Sequence, residues 1–501
     1  MPPPDLFSSG GALNVNLEYR TTVDLAGRTL FCYQTSDGLE SPTLHVNPGD
    51  TININLTNKL PPVSRGPGEI VATEQRKCGD KLMTLASVNM HFHGLNTSPR
   101  CHSDESIHTI VNSGQTFTYR IKVPRNEPPG LYWYHPHVHG IASAAVQGGA
   151  SGAIIVDGIE NIQPAVAGLP QRLLVMRDQP LLNSGAPDEG PMPNWDVSVN
   201  YVPVPFPGYP MSHIRMTRGT TEFWRVANAG ANTILDLQVI YDKEPQTLQI
   251  VGLDGVPTGS QNGKRQGTIV SQKHILLPPS GRVEFILAGP TGNVAQAYLV
   301  TRKIKGGPAS DTNPARPLAQ LIATDGPNNL PRLLERSGPP KPQRFENVSD
   351  DKVTAHRTLY FLEIPSSQKK PVGESVNFYI VVDGQTARLF DPNDPPAIVT
   401  TKGAVEDWII QNRTSEVHEF HMHQIHFKIL EENGMPVPRD QQQWRDTYQV
   451  GYWDGAGKYP YIKVRMDFRG AVTGDFLYHC HILDHEDGGM MGIIRVKQPK
   501  N

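Results

Sequence analysis

Eight of the 18 histidines fall into four His-x-His pairs: His91/His93, His135/His137, His421/His423 and His479/His481. In an extended strand, side chains two residues apart leave the same face, about 6 to 7 Å apart along the chain, so each pair presents two imidazoles in one direction. Imidazole is the commonest side-chain metal ligand, whereas a single buried histidine is ordinarily a hydrogen-bonded core residue. Four pairs in two regions of the sequence point to metal. Eight imidazoles exceed the coordination of one ion, so the pattern calls for several.

The last pair encloses Cys480, and the chain runs on through His485 to Met490. With His418 upstream, this stretch offers one thiolate, two more imidazoles (His418 and His485) and a thioether. Soft sulfur with two imidazoles and a weak axial ligand suits copper. Structural zinc favours a closed set richer in thiolate, and methionine serves it poorly. Because Cys480 sits between His479 and His481, a site on the cysteine and a site on its neighbours are joined by a few covalent bonds, which is a path for electrons. Met491, beside Met490, reads as core packing.

The elements that position these ligands are strands. The 46 glycines and 45 prolines, with only 19% charged residues, suit short strands joined by turns rather than a helical bundle. The absence of a glycine triplet period and an apolar content of 38% exclude collagen and bulk disorder. Three segments lie over one another: NPGDTININLTN (47–58), TRGTTEFWRVAN (217–228) and TKGAVEDWIIQN (401–412). Each has a glycine turn, then an apolar/polar alternation ending in Asn, the pattern of a half-buried strand. They predict three similar all-β domains, 1–158, 159–325 and 345–501, with a linker at 326–344. The proline-rich run PMPNWDVSVNYVPVPFPGYP (191–210) reads as a long surface loop.

The repeat also locates the ligands. Where the outer domains have His91-Phe92-His93 and His421-Met422-His423, the middle one has Leu235-Asp236-Leu237. LYWYHPH (131–137) matches DFLYHCH (475–481), and no middle counterpart exists. The metal cluster is therefore expected between the two outer domains, with the middle one as spacer.

A formal net charge of -3 and no interleaved basic and aromatic pattern give no support for nucleic acid. No run of 18 apolar residues suggests a membrane span, and MPPPDLFSSG lacks the basic and apolar stretches of a secretory leader. Of the four cysteines, Cys78 and Cys101 stand 23 apart in a polar stretch and are candidates for a disulfide. Cys32 reads as a buried free thiol.

Taken together, HFHG (91–94), WYHPH (133–137), HEFHMH (418–423) and HCHILDHEDGGMM (479–491) make the chain similar to the three-domain multicopper oxidases of the bacterial laccase kind. The resemblance implies three cupredoxin-like Greek-key β-sandwich or barrel domains and four copper ions. His418, Cys480, His485 and Met490 would hold a type 1 copper, His91 and His421 a type 2 copper, and His93, His135, His137, His423, His479 and His481 a type 3 pair. It further implies one-electron oxidation of phenols, aromatic amines or similar donors, docked near an exposed His485 or His418, coupled to four-electron reduction of dioxygen to water. Glu486 resembles the proton-relay carboxylate of bacterial laccases, and Asp104 is a second candidate acid. The plain alternative for each is a solvated surface carboxylate.

The chain departs from the family where Glu419 replaces a frequent proline and where Gln424 and Ile425 replace a frequent Gly-His. His102, His108, His139 and His426 lie near the motifs but outside the implied ligand set, and His139 continues the period of His135 and His137. Two other functions stay open. A metal-ion oxidase acting on Cu(I) or Fe(II) is one, although the 12 methionines form no methionine-rich insertion. A simple electron carrier is the other, and it leaves the paired histidines unused. Copper and a disulfide favour a periplasmic or secreted protein.

Overall fold

The computed structural model describes every residue except 1–2, 25–26, 64–68, 184–189, 261–265, 327–328, 336–343, 349–350, 367–375, 471 and 500–501. Much of the expected linker therefore lies outside the described residues.

All three repeat segments form strands, Thr51–Asn58, Thr221–Asn228 and Val405–Asn412. Each pairs in parallel with one neighbour, Ala12–Val23, Gln171–Pro180 or Ala355–Pro365. Each pairs antiparallel with another, Thr116–Lys122, Arg282–Ala288 or Tyr461–Asp467. The terminal asparagine has the same task each time. The side-chain NH2 groups of Asn58, Asn228 and Asn412 each donate to two backbone carbonyls, of Ala86 and Val111, of Thr233 and Leu277, and of Glu416 and Val450. Their oxygens accept from the backbone N–H of Leu60, Gly230 and Thr414. All three are buried, and a buried amide left unpaired would cost about 1–3 kcal/mol.

Around each such strand, two sheets close over an apolar core. In the first unit a four-stranded sheet packs on a five-stranded one that ends with Gly130–His135 and His91–His93, burying Leu17, Ile54, Phe92, Tyr119 and Ile154. The second unit pairs an eight-stranded with a six-stranded sheet around Trp224, Val226, Leu237 and Phe285. The third pairs a seven-stranded sheet with a five-stranded one that holds Gly474–Cys480 and His418–Met422, around Trp408, Ile410, Phe420 and Tyr478. These are cupredoxin-like β-sandwiches.

The proline-rich run is not a loop. Trp195–Val199 and Val202–Val204 are strands that extend the eight-stranded sheet to its edge. Pro203 sits in the outermost strand, the place in a sheet where a missing N–H is tolerated. Cys78 and Cys101 form a disulfide, and Cys32 is a buried free thiol.

Candidate metal centre

Strand register brings the histidines together in two steps. Within the first unit His91 stands opposite His135, and within the third His421 stands opposite His479. Between units the rings then interleave. His91 stacks on His423 with centroids 3.9 Å apart, and His93 stacks on His421 at 4.0 Å. All eight paired histidines are buried. Ligand atoms of His91, His421 and His423, of His91, His93 and His135, and of His137, His423 and His479 lie within 4.8 Å of one another. The His481 ring is 5.0 Å from that of His93 and 5.5 Å from that of His135.

Hydrogen bonds from outside the cluster select which nitrogen faces in. Nδ1 of His91 faces the Asp104 carboxylate at 2.9 Å. The Nδ1 atoms of His135, His421 and His479 face the carbonyls of Pro136, Asp446 and Cys480 at 2.9, 2.8 and 2.9 Å. Nε2 of His91, His135 and His421, Nδ1 of His93 and both nitrogens of His481 have no hydrogen-bond partner. Burial, then the neighbouring imidazoles, holds His93, His137, His421, His423 and His481 well below the usual histidine range. Burial thus favours the neutral form of these five rings, the form whose lone pair can bind a metal. An unpaired buried polar group is costly, and a group of metal ions is what this donor set fits.

The second constellation lies across Cys480. Nδ1 of His418 and Nδ1 of His485 are 3.1 Å apart and lie 3.6 and 3.7 Å from the Cys480 sulfur. Met490 is buried in the same apolar cluster as Cys480, whereas Met491 packs in another, with Leu477 and Ile493. Burial pushes the Cys480 thiol far above its ordinary range, so a thiolate here requires a cation against it. The backbone N–H of Glu419 donates to the sulfur at 3.4 Å, a bond that the family's proline has no hydrogen to make.

His418 is not exposed. It lies under Phe361 with Nε2 3.0 Å from Glu363. His485 alone, 7% exposed, borders a cavity of about 50 Å³ shared with Asp311, Glu416 and Asp484. Its Nε2 is 3.6 Å from Glu416.

Neither candidate acid is a surface carboxylate. Glu486 is wholly buried in the short helix Leu483–Asp487, with Oε2 3.2 Å from His479 Nδ1 and Oε1 3.7 Å from His137 Nε2. Burial, aided by neighbouring Asp487, drives its pKa far up, which favours the protonated carboxyl. Asp104 sits behind His91 and also accepts from the Phe92 N–H at 3.0 Å and the Gln424 side chain at 2.6 Å. Gln424 takes the glycine-like φ of 56°, which matches the glycine the family writes there.

The structure adds residues that the motifs do not mark. Asp446 receives His421 on its carbonyl and stands 3.3 Å from His93 Nε2 through its carboxylate, and Ser106 bonds His423 Nδ1 at 3.3 Å. The available signal was a charged pair, Arg445-Asp446, at the start of an otherwise apolar alternation. Among the described residues, His102, His108, His139 and His426 join none of the ligand groups. His102 stacks on Phe117, His108 pairs with Glu105, His139 packs on Phe390 and His426 donates to the Asp254 carbonyl.

Two profiles of the multicopper oxidase family match the chain at 83–161 and 367–500, the stretches that carry all four histidine pairs. Both stretches are multicopper oxidase domains. A multicopper oxidase of Staphylococcus haemolyticus is 24% identical over 470 residues, covering 91% of this chain and 82% of its own. A laccase of Bacillus stratosphericus is 22% identical, covering 93% and 91%. Among solved structures, a multicopper oxidase from Campylobacter jejuni described as a metallo-oxidase aligns with a TM-score of 0.70 at 22% identity, covering 99% of this chain and 94% of that one. The oxidase's metal is copper, and the imidazole and thiolate donors above suit it.

Proposed function

We propose that this oxidase is laccase-like: it takes single electrons from phenols, aromatic amines and similar small donors and uses four of them, with four protons, to reduce dioxygen to two waters. In this reading residues 1–158, 159–325 and 345–501 are its domains. His418, Cys480, His485 and Met490 would hold a type 1 copper, His91 and His421 a type 2 copper, and the other six paired histidines a type 3 pair. Copper, when bound, supplies one-electron redox steps at both places. The single observation that carries the proposal is covalent: Cys480 belongs to one constellation while both its neighbours, His479 and His481, belong to the other.

The chain's own residues serve that reaction in order. The edge of His485 that borders the small cavity receives the donor, and phenols and aromatic amines shed a proton on oxidation, which the carboxylates around that edge can accept. The Cys480 sulfur and the two peptide bonds beside it link the donor edge to the buried imidazoles. Glu486 holds a proton at its carboxyl beside His479 and His137, where dioxygen reduction consumes protons. Asp104 fixes the His91 ring from behind.

Copper per chain and donor-to-oxygen stoichiometry test this reading. Near four coppers and four electrons per dioxygen are expected, and near one copper would point to an electron carrier. A second reading, oxidation of a metal cation such as Cu(I) or Fe(II), draws support from the small acidic cavity at His485, whose lining includes no Lys or Arg among the described residues. Glu416→Gln separates the two: a loss confined to Fe(II) or Cu(I) turnover favours the cation, and a loss confined to a dimethoxyphenol favours the phenol. We place the oxidase in the periplasm or outside the cell, a reading that the Cys78–Cys101 disulfide supports.

A further inference from the structure

The middle unit supplies no imidazole, yet one of its side chains reaches the cluster. Arg282, in the strand Arg282–Ala288, is wholly buried and makes a two-pronged contact with Asp446 of the third unit, Nη1 to Oδ1 at 2.7 Å and Nη2 to Oδ2 at 2.5 Å. Asp446 in turn serves one histidine from each outer unit, His93 through its carboxylate and His421 through its carbonyl. The outcome is opposite for the two rings. His93 spends Nε2 on Asp446 and presents Nδ1, whereas His421 spends Nδ1 and presents Nε2.

The contact is built into all three units. Gly94, the glycine of HFHG, has φ of 88°, and a Cβ there would stand 2.5 Å from Arg282 Nη2 and 2.7 Å from Asp446 Oδ2. Ser280, also of the middle unit, bonds Thr447 beside Asp446 at 2.7 Å. The charges balance, since Arg445 pairs with Asp254 at 2.6 Å and Arg282 with Asp446. One further fact gives the pair its meaning: the Asp446 carboxylate lies within 4.8 Å of the ligand atoms of His93 and His421, near enough to bind a metal itself.

We propose that Arg282 is a positioning residue for the copper cluster: its fork engages both oxygens of Asp446, which keeps that carboxylate off the metal and leaves it to orient His93. The proposal rests on the reading of the paired histidines as copper ligands, and makes the middle unit part of the centre rather than a spacer. Partners of this kind, one step behind the ligands, typically change metal affinity by about 10–100-fold.

The test uses the full chain, copper-loaded, with copper per chain, the type 2 paramagnetic spectrum and the blue absorption as readouts, and apoprotein Tm as control. Arg282→Met is expected to keep the blue band while weakening retention of the other coppers by about 10–100-fold. Arg282→Lys keeps the buried charge, and so the fold, but cannot make the fork; its type 2 spectrum is expected to shift. Arg225→Met removes the buried partner of Glu284, a charge pair that leaves the Arg282–Asp446 fork in place, and is expected to lower Tm with an unchanged copper spectrum. Wild-type copper content and spectra from both Arg282 variants would overturn the proposal, as would equal copper loss in Arg225→Met. A wild-type protein that holds a single copper would instead overturn the ligand assignment beneath it.

Discussion

The first and third units build the same antiparallel strand pair and use it differently. In both, a strand carrying Tyr-His near its end pairs with a His-x-His strand so that one histidine faces another, His91 to His135 and His421 to His479. In both, a glycine in the following strand makes room for the tyrosine: a Cβ would stand 2.2 Å from the Tyr134 hydroxyl at Gly152 and 2.4 Å from that of Tyr478 at Gly492. Between the histidines, however, the first unit has Pro136 and the third has Cys480. Four and five residues after the end of the matching stretch, the first has Ile141-Ala142 and the third His485-Glu486. The imidazole cluster thus needs two copies of one strand pair, while the thiolate site and the acid Glu486 need only a few altered positions in one copy.

The largest contrast is expected at the residue between the histidines. Cys480→Ser should abolish the blue band and reduce donor oxidation to background, whereas Pro136→Ala should cost only about 0.4–1 kcal/mol of stability, read by Tm, with the spectrum unchanged. An equally severe Pro136→Ala would mean that the two strand pairs are not functionally distinct. Next in size, Glu486→Gln should slow dioxygen reduction by about 10²–10⁴-fold with the blue band intact; unchanged steady-state turnover would remove the residue from proton delivery.

Smaller effects should appear in the type 1 potential. Glu419→Pro removes both the carboxyl and the N–H to sulfur, Glu419→Ala only the carboxyl, so a lower potential in the proline variant alone would assign the difference to the hydrogen bond. Met490→Leu should raise the potential and Met491→Leu leave it in place, and the reverse result would exchange their roles. Least in turnover, reduction of Cys78–Cys101 should destabilise the first unit by about 3 kcal/mol, the loop-closure value for its length, read as a drop in Tm; no drop would show that the loop holds itself.

The ligands were legible because a strand's period of two turns His-x-His into geometry, and the repeat was legible because each copy ends on the same asparagine. The groups behind the ligands were not. Arg282 and Asp446 belong to different units, 164 positions apart, and although Arg445-Asp446 stands out as a charged pair, nothing in local spacing tells that it meets Arg282 once the three sandwiches pack. His418 gave no sign of its burial, because Phe361 and Glu363 that cover it come from a strand more than 50 residues earlier. The proline-rich run misled for a local reason: Pro203 reads as a breaker, but at a sheet edge the absent N–H costs little.

The asparagine at the end of each repeat strand has one more consequence. It pins the turn in the middle unit, which lends the histidine cluster no ligand, with the same bonds as in the two that do. At these three turns the order comes from peptide contacts, so none of them has to wait for copper to form.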